Sequence, residues 1–216
     1  MTTQKAPWLP KIGAQFALGR NAIPEPGPGE ALVKLKASAL NHVDVHIQKS
    51  GLFEIEEYPV ILGEEGAGVV LKVGDGVRNL ARGGNVFVPS SLTLSHAEAC
   101  GMRVLSAEHV HLDKLFQATF NNIMKYGSLV LAEIATKMPP NLSYEEAAAS
   151  ILIAFAPFAV ATYAQRPQGI ALTPPFEEGG LGKYAGRPIV IFGGAASVGQ
   201  QAIQLAKLSG FSPRLR

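Results

Sequence analysis

The chain has 216 residues, 47% of them hydrophobic and 17% charged, proportions that exclude a disordered chain and point to a packed globular protein. A net charge of +2, with Lys and Arg scattered, excludes a nucleic-acid surface, which needs clustered basic residues. The single cysteine, Cys100, excludes an intrachain disulfide and a four-cysteine zinc site, so the fold is expected to hold by core packing in a reducing compartment.

The opening "MTTQKAPWLPKIG" lacks an apolar stretch long enough for a signal peptide, and its prolines break a transit helix, so the expected location is cytoplasmic. "IPEPGPGE" is turn or extended connection. From Ala31 to Ala39, Val33, Leu35, Ala37 and Ala39 alternate with Lys34, Lys36 and Ser38, the period of a half-buried strand. Next, "YPVILGEEGAGVVLKVGDGV" reads as short strands broken by Gly63, Gly66, Gly68, Gly74 and Gly76, where bulges or close backbone approach are expected, as in a small barrel. "GGNVFVPS" adds one more strand, and the first ninety or so residues are expected to be all-β.

Neither period persists across 91–126, which reads as an irregular, atypical insert. It holds His96, Glu98, Cys100, His109, His111 and Asp113, all of ligand type. No spacing among them matches a zinc pattern, so a polar loop is expected and no metal. "LVLAEIATKMPPNLS" then predicts a final strand, a proline stop and a helix cap at Ser143. The run Ala147–Ala164 is only about the minimum length for a membrane span. Ser143 with Glu146 as capping-box partner, and Pro157 inside the run, favour a buried helix of a soluble protein. "QRPQGIALTPPFEEGGLGKYAG" is expected to be a surface connection, and the change from strands to helix places a domain boundary near residue 140.

Ile189, Val190, Ile191 and Phe192 form a continuous apolar run, as in a parallel strand buried on both faces. In "GGAASVG", Gly193 and Gly194 permit a sharp exit, Ala195 and Ala196 keep the turn small, and Gly199 lets the next helix sit close. That helix is expected to bury Val198, Ala202, Leu205 and Ala206 and to stop at Gly210. Its free amides, at Ser197 and Val198 above all, suit a pyrophosphate, although the spacing is not strict GxGxxG and a Gly/Ala turn of this kind also serves packing alone.

Four ordered motifs, "IPEPGPGEALVKLKASALNHVDVHIQKSG", "YPVILGEEGAGVVLKVGDGV", "AEIATKMPPNLSYEEAAA" and "GKYAGRPIVIFGGAASVGQQAIQLAKLSGFSP", give the chain its identifiable character. Together they resemble the medium-chain dehydrogenase/reductase superfamily, and within it the zinc-free quinone oxidoreductase and fungal trans-acting enoyl reductase branch. The resemblance implies an α/β protein with an all-β part: a GroES-like β-barrel domain over 1–140, then an incomplete Rossmann domain over 141–216, with NADPH between them. Zinc-dependent relatives carry "GHExxGxV" where this chain has "GEEGAGV", with Glu64 at the histidine position, and a cysteine where it reads "ALNHVD". The resemblance therefore implies hydride transfer from NADPH to an activated C=C or a quinone-like small molecule without zinc. It also places the "ALNxxD" segment near the nicotinamide, nominating Asn41 as a hydrogen-bonding contact and Asp44 as its support. His42 and His46 read as surface or core filling, while Glu64 and Glu65 either bind a cation or orient a proton donor, or simply pair with a nearby Arg or Lys.

A βαβ unit carries its ribose-reading side chain roughly twenty positions past the last glycine, and 17 residues follow Gly199. The expectation is a Rossmann domain truncated after its first strand and helix, with the 189–192 run facing water and open to homodimer formation. Two readings of function follow: an NADPH-dependent oxidoreductase, or a catalytically inactive truncated fragment acting at most as a GroES-like interaction module.

Overall fold

A computed structural model describes residues 3–52, 55, 58–89, 127–150 and 152–215. The insert with its histidines and Cys100 lies outside the described residues. Two compact units divide at residues 150 and 151.

The first unit opens with an antiparallel hairpin of β1 (Thr3–Trp8) and β2 (Ala17–Ala22). Trp8 lies over Gly19, where a Cβ would come within 2.6 Å of the indole, so the ring replaces the missing side chain. Five further strands form one antiparallel sheet: β3 (Glu30–Ser38), β4 (Glu65–Val73), β5 (Asn85–Pro89), β6 (Gly127–Leu131) and β7 (Thr136–Lys137). Their order is β6-β3-β4-β5-β7. "LVLAEIATK" thus supplies two strands rather than the one its sequence suggests.

The β3 alternation holds for Val33, which is fully buried, but Leu32 is buried too. It sits beside Gly127 and the Gln4 side chain, which cover the second face. Gln4 is itself buried and grips Gly127 through both ends of its amide, donating to the carbonyl and accepting from the N–H. The β3–β4 pairing shifts register at Leu32/Val33 and again at Leu35/Ala37. Gly68 lies in this region, and a Cβ there would be 2.2 Å from the Lys34 carbonyl oxygen, the close approach that the glycines of β4 suggest. One face buries Ala31, Val33, Val70, Val86, Val88 and Val130 in a single cluster. Each valine contributes about 1.5 kcal/mol or more.

A helix interrupts the supposedly all-β region: α1, His42–Ser50. Local capping makes it despite weak periodicity, with Asn41 extended at the N-cap, Asp44 in the first turn and Gly51 left-handed at φ 68° past the end. The opposite face of the sheet carries α2 (Tyr144–Ala149), whose Ala147 and Ala148 pack on Ala67. Ser143 caps it by accepting from the Glu146 amide at 3.1 Å, and the Glu146 carboxylate accepts from the Ser143 amide at 2.8 Å.

The apolar run after Ser143 is two helices. The first ends with Ser150 as C-cap, and α3 (Leu152–Tyr163) begins afterwards with Pro157 inside it. No helix among the described residues is long and apolar enough to cross a membrane. In the second unit α3 packs on α4 (Ser197–Leu208) through Ala159, Tyr163 and Leu205, and the Tyr163 hydroxyl lies 2.7 Å from Ser209 Oγ. The connection over 165–187 is anchored rather than loose. Tyr184 stacks on Phe211 at 4.9 Å, and the amides of Gly182 and Tyr184 donate to the carbonyls of Leu208 and Ser209 at the end of α4.

The unit does not stop after one strand and one helix. Strand β8 (Pro188–Ile191) pairs in parallel with β9 (Ser212–Leu215), closing a βαβ unit across α4. Nor is the 189–192 run uniformly placed: Ile191 is buried under Ala202 and Ala206, whereas Val190 is 53% and Phe192 78% exposed.

Candidate functional sites in the two units

In the first unit, the "ALNHVD" segment leaves the end of β3 and turns directly into α1. The turn is tied to the start of β4, because the Glu65 carbonyl accepts from the Ala39 amide at 2.9 Å and from Ser38 Oγ at 3.3 Å. Asn41 and Asp44 meet here. Asp44 Oδ2 accepts from the Asn41 amide at 2.9 Å, fixing the N-cap backbone, and Asp44 is buried. Burial raises the Asp44 pKa, an effect partly offset by the amides of Asn41 and Gly63. Asn41 remains half-buried, and its Nδ2 donates to Glu65 Oε2 at 3.4 Å. Glu64 and Glu65 are both buried, at 3% and 0% exposure, whereas His42 and His46 are exposed on α1. The link from Asn41 to Glu65 joins positions 24 apart and has no local sequence signature. Among the described residues no group of three or more His, Cys, Asp or Glu side chains could hold a metal ion.

In the second unit, Gly193 leaves β8 at φ 72°, a conformation that side chains resist. The Ala196 amide returns to the Gly193 carbonyl at 2.9 Å, closing a tight turn into α4. Gly199 lies against that same carbonyl, where a Cβ would be 2.2 Å from the oxygen and 2.8 Å from Gly194 Cα. Its absent side chain is what lets the helix begin directly on the turn.

Ala196, the N-cap, offers no side-chain acceptor, and the first turn has no acidic residue. Ser197 and Val198 are exposed at this end, and among the described residues no acidic side chain of the first turn competes for their amides or for the positive pole of this 12-residue helix. Val198 differs from the sequence expectation: it is 40% exposed, and Gly199 takes its place on the buried face with Ala202, Leu205 and Ala206. One helical step separates the two positions, and only the glycine fits against the turn.

Beside the turn is a cavity of about 320 Å³ lined by Pro157, Phe158, Ile191, Phe192, Ala196 and Val198 with their neighbours. The side chains that line it are all apolar, so polar recognition at this end falls to backbone amides. Pro157 and Phe158 come from α3, and their only sequence signal is a proline inside an apolar run. The residues present fit a dinucleotide's pyrophosphate: small side chains, uncapped amides and no competing acid.

Residues 27–132 match the alcohol dehydrogenase GroES-like domain. The chain is 32% identical over 204 residues to the trans-enoyl reductase tazE of Aspergillus terreus, a match covering 94% of this chain and 59% of that relative. In fold it is similar to the quinone oxidoreductase from Coxiella burnetii, with a TM-score of 0.67 at 20% identity over 99% of this chain and 56% of that one. It is similar also to a mycobacterial protein complexed with NADPH, with a TM-score of 0.60 at 20% identity over 98% of this chain and 50% of that one. The chain therefore spans between half and three fifths of the length of these relatives. The GroES-like match, the reductase relative and the shared fold agree: the chain belongs to the medium-chain dehydrogenase/reductase superfamily.

Proposed function

We propose that this chain is an NADPH-binding oxidoreductase component whose chemistry is hydride addition to an activated C=C or a quinone-like small molecule. The observation that carries the reading is the N-terminus of α4: a turn of Gly193, Gly194, Ala195 and Ala196 opens onto Ser197 and Val198 amides that no side chain caps. A diphosphate there meets aligned N–H groups and the positive helix pole. Bound NADPH supplies the hydride, and the protein's part is to hold and orient both reactants. In the first unit Asn41 offers a hydrogen-bonding carboxamide, with Asp44 fixing its backbone. Zinc independence is supported by donor chemistry: the motif position of the zinc-binding histidine is a buried glutamate, Glu64, and Asn41 and His42 occur where a cysteine ligand is expected. A carboxamide is a poor zinc donor and these motif positions offer no thiolate, so the set suits orientation better than the ligation of a Lewis acid.

The test uses opposite signs. Ser197→Glu places a negative charge on the exposed first turn of α4, where the dipole favours it, so stability is held or rises by about 0.3–1 kcal/mol. The same charge repels a diphosphate, and NADPH affinity, followed by enhancement of cofactor fluorescence, is expected to fall by at least about tenfold. Equal NADPH binding by S197E and wild type, or no binding by wild type at millimolar cofactor, would leave the turn a packing device and favour the non-catalytic interaction module.

A further inference from the structure

Two buried carboxylates converge on Asn41. Asp44 takes its backbone N–H, and Glu65 takes its side-chain Nδ2. The first contact is local and explains itself as helix capping. The second does not, because a helix N-cap needs no partner on its own nitrogen. An asparagine carboxamide presents an acceptor at one end and two donors at the other, and a half-turn about its last torsion exchanges them. Asn41 turns its nitrogen to Glu65 Oε2, the end that a carboxylate acceptor selects.

Glu65 is suited to impose that choice. It opens the central strand β4, paired with β3 on one side and with Pro89 of β5 on the other, and it is wholly buried. Its own carbonyl holds Ala39 and Ser38, so one residue fixes both the backbone before Asn41 and the side chain of Asn41. Burying a carboxylate at such a point costs more than burying an apolar residue of similar size. Packing alone therefore does not account for the residue type, and orientation of the neighbouring Asn41 amide is one task that a carboxylate here performs.

We propose that Glu65 is a positioning residue for Asn41, holding its carboxamide in one orientation so that it meets a bound small molecule as a fixed hydrogen-bonding group. The inference rests on the reading of Asn41 as a ligand contact given above. It predicts that Asn41 acts through a set donor and acceptor arrangement rather than through either rotamer.

The test is ¹⁵N NMR of the full chain, reading the paired Nδ2 proton signals of Asn41 with and without NADPH. In wild type the two protons are expected to be well separated, and NADPH to shift them together with the backbone signals of residues 193–199. Glu65→Gln keeps an acceptor oxygen and should retain the separation. Glu65→Met keeps volume without an acceptor; it should collapse the pair toward free-carboxamide positions and weaken the NADPH response at Asn41 about tenfold, while the response at 193–199 persists. Should E65M not fold, solvent exchange of the two Nδ2 protons in wild type reports the same contact: the proton facing Glu65 is expected to exchange more slowly than its partner, and equal exchange overturns the positioning role. An Asn41 pair unchanged in E65M overturns the positioning role and leaves the functional reading standing. A wild-type chain whose signals at 193–199 and at Asn41 both ignore NADPH sinks that reading, and this inference with it.

Discussion

Gly199 shows how one missing side chain couples the fold to the site. A Cβ there would meet the Gly193 carbonyl oxygen at 2.2 Å and Gly194 Cα at 2.8 Å, both backbone atoms that cannot swing aside. Gly199→Ala is therefore expected to cost about 1–3 kcal/mol, read as a lower Tm, and to weaken NADPH binding because relief requires the turn to move from the helix amides. Asp44 is the second residue with a defined consequence. Its folded pKa is raised, chiefly by burial, so the native state holds the proton more tightly than the unfolded chain. The window then runs from the ordinary aspartate value up to the folded one: within it the carboxylate's contribution becomes more favourable as pH falls and is lost as pH rises. Asp44→Asn cannot titrate. The stability difference of wild type minus D44N, measured by urea unfolding across that window, should shift toward wild type on acidification; a flat difference would show that Asp44 is not the buried acid that fixes Asn41.

At the scale of elements, local chemistry decided several outcomes that periodicity misread. Val33 stands out in the alternation of β3, and "SYEE" announces the start of α2, because both signals are local and repeated. Helix α1 was hidden: its weak amphipathicity reads as nothing in particular, and it exists because Asn41, Asp44 and Gly51 satisfy its ends. The break at Ser150 was hidden for the opposite reason. The residues on either side are apolar all round, so the pattern carries no mark of one helix ending and another starting. The cap of α2 is open to test. Ser143→Ala removes the acceptor of the Glu146 amide and should cost about 1 kcal/mol. Hydrogen bonds from the amide and hydroxyl of Ser143 hold the Glu146 pKa below its usual value, so this contribution is present above the ordinary glutamate pKa and fades as pH falls through the folded one. The gap between thermal melts of S143A and wild type should accordingly narrow in acid to the part due to the lost acceptor of the Glu146 amide, and a gap that stays constant with pH would remove the Glu146 carboxylate from the cap.

Across the whole molecule, the sequence made the kind of architecture legible and its last strand illegible. The glycine turn, the strand before it and the helix after it are each visible because a βαβ start concentrates distinctive residues in a short span. By contrast β9 is four residues with a proline and an arginine, which no strand pattern favours; it forms because it lies parallel to β8 after Phe211 has stacked on Tyr184. The contact between Asn41 and Glu65 was likewise unreadable, since only the pairing of β3 with β4 brings the two residues together. That pattern of burial sets the final prediction. The second unit exposes Val190 at 53% and Phe192 at 78%, and Phe192 also lines the cavity of about 320 Å³. Large apolar side chains grouped in this way favour association over hydration, so the chain is expected to self-associate with rising concentration through this surface. The double variant Val190→Ser and Phe192→Ser removes two exposed side chains but leaves buried Ile191 and its contacts with Ala202 and Ala206 intact. Sedimentation velocity should therefore show a shift toward monomer with Tm nearly unchanged. A variant that associates as strongly as wild type would place the contact elsewhere, and a variant that unfolds would show that these side chains support the β8 packing rather than a surface.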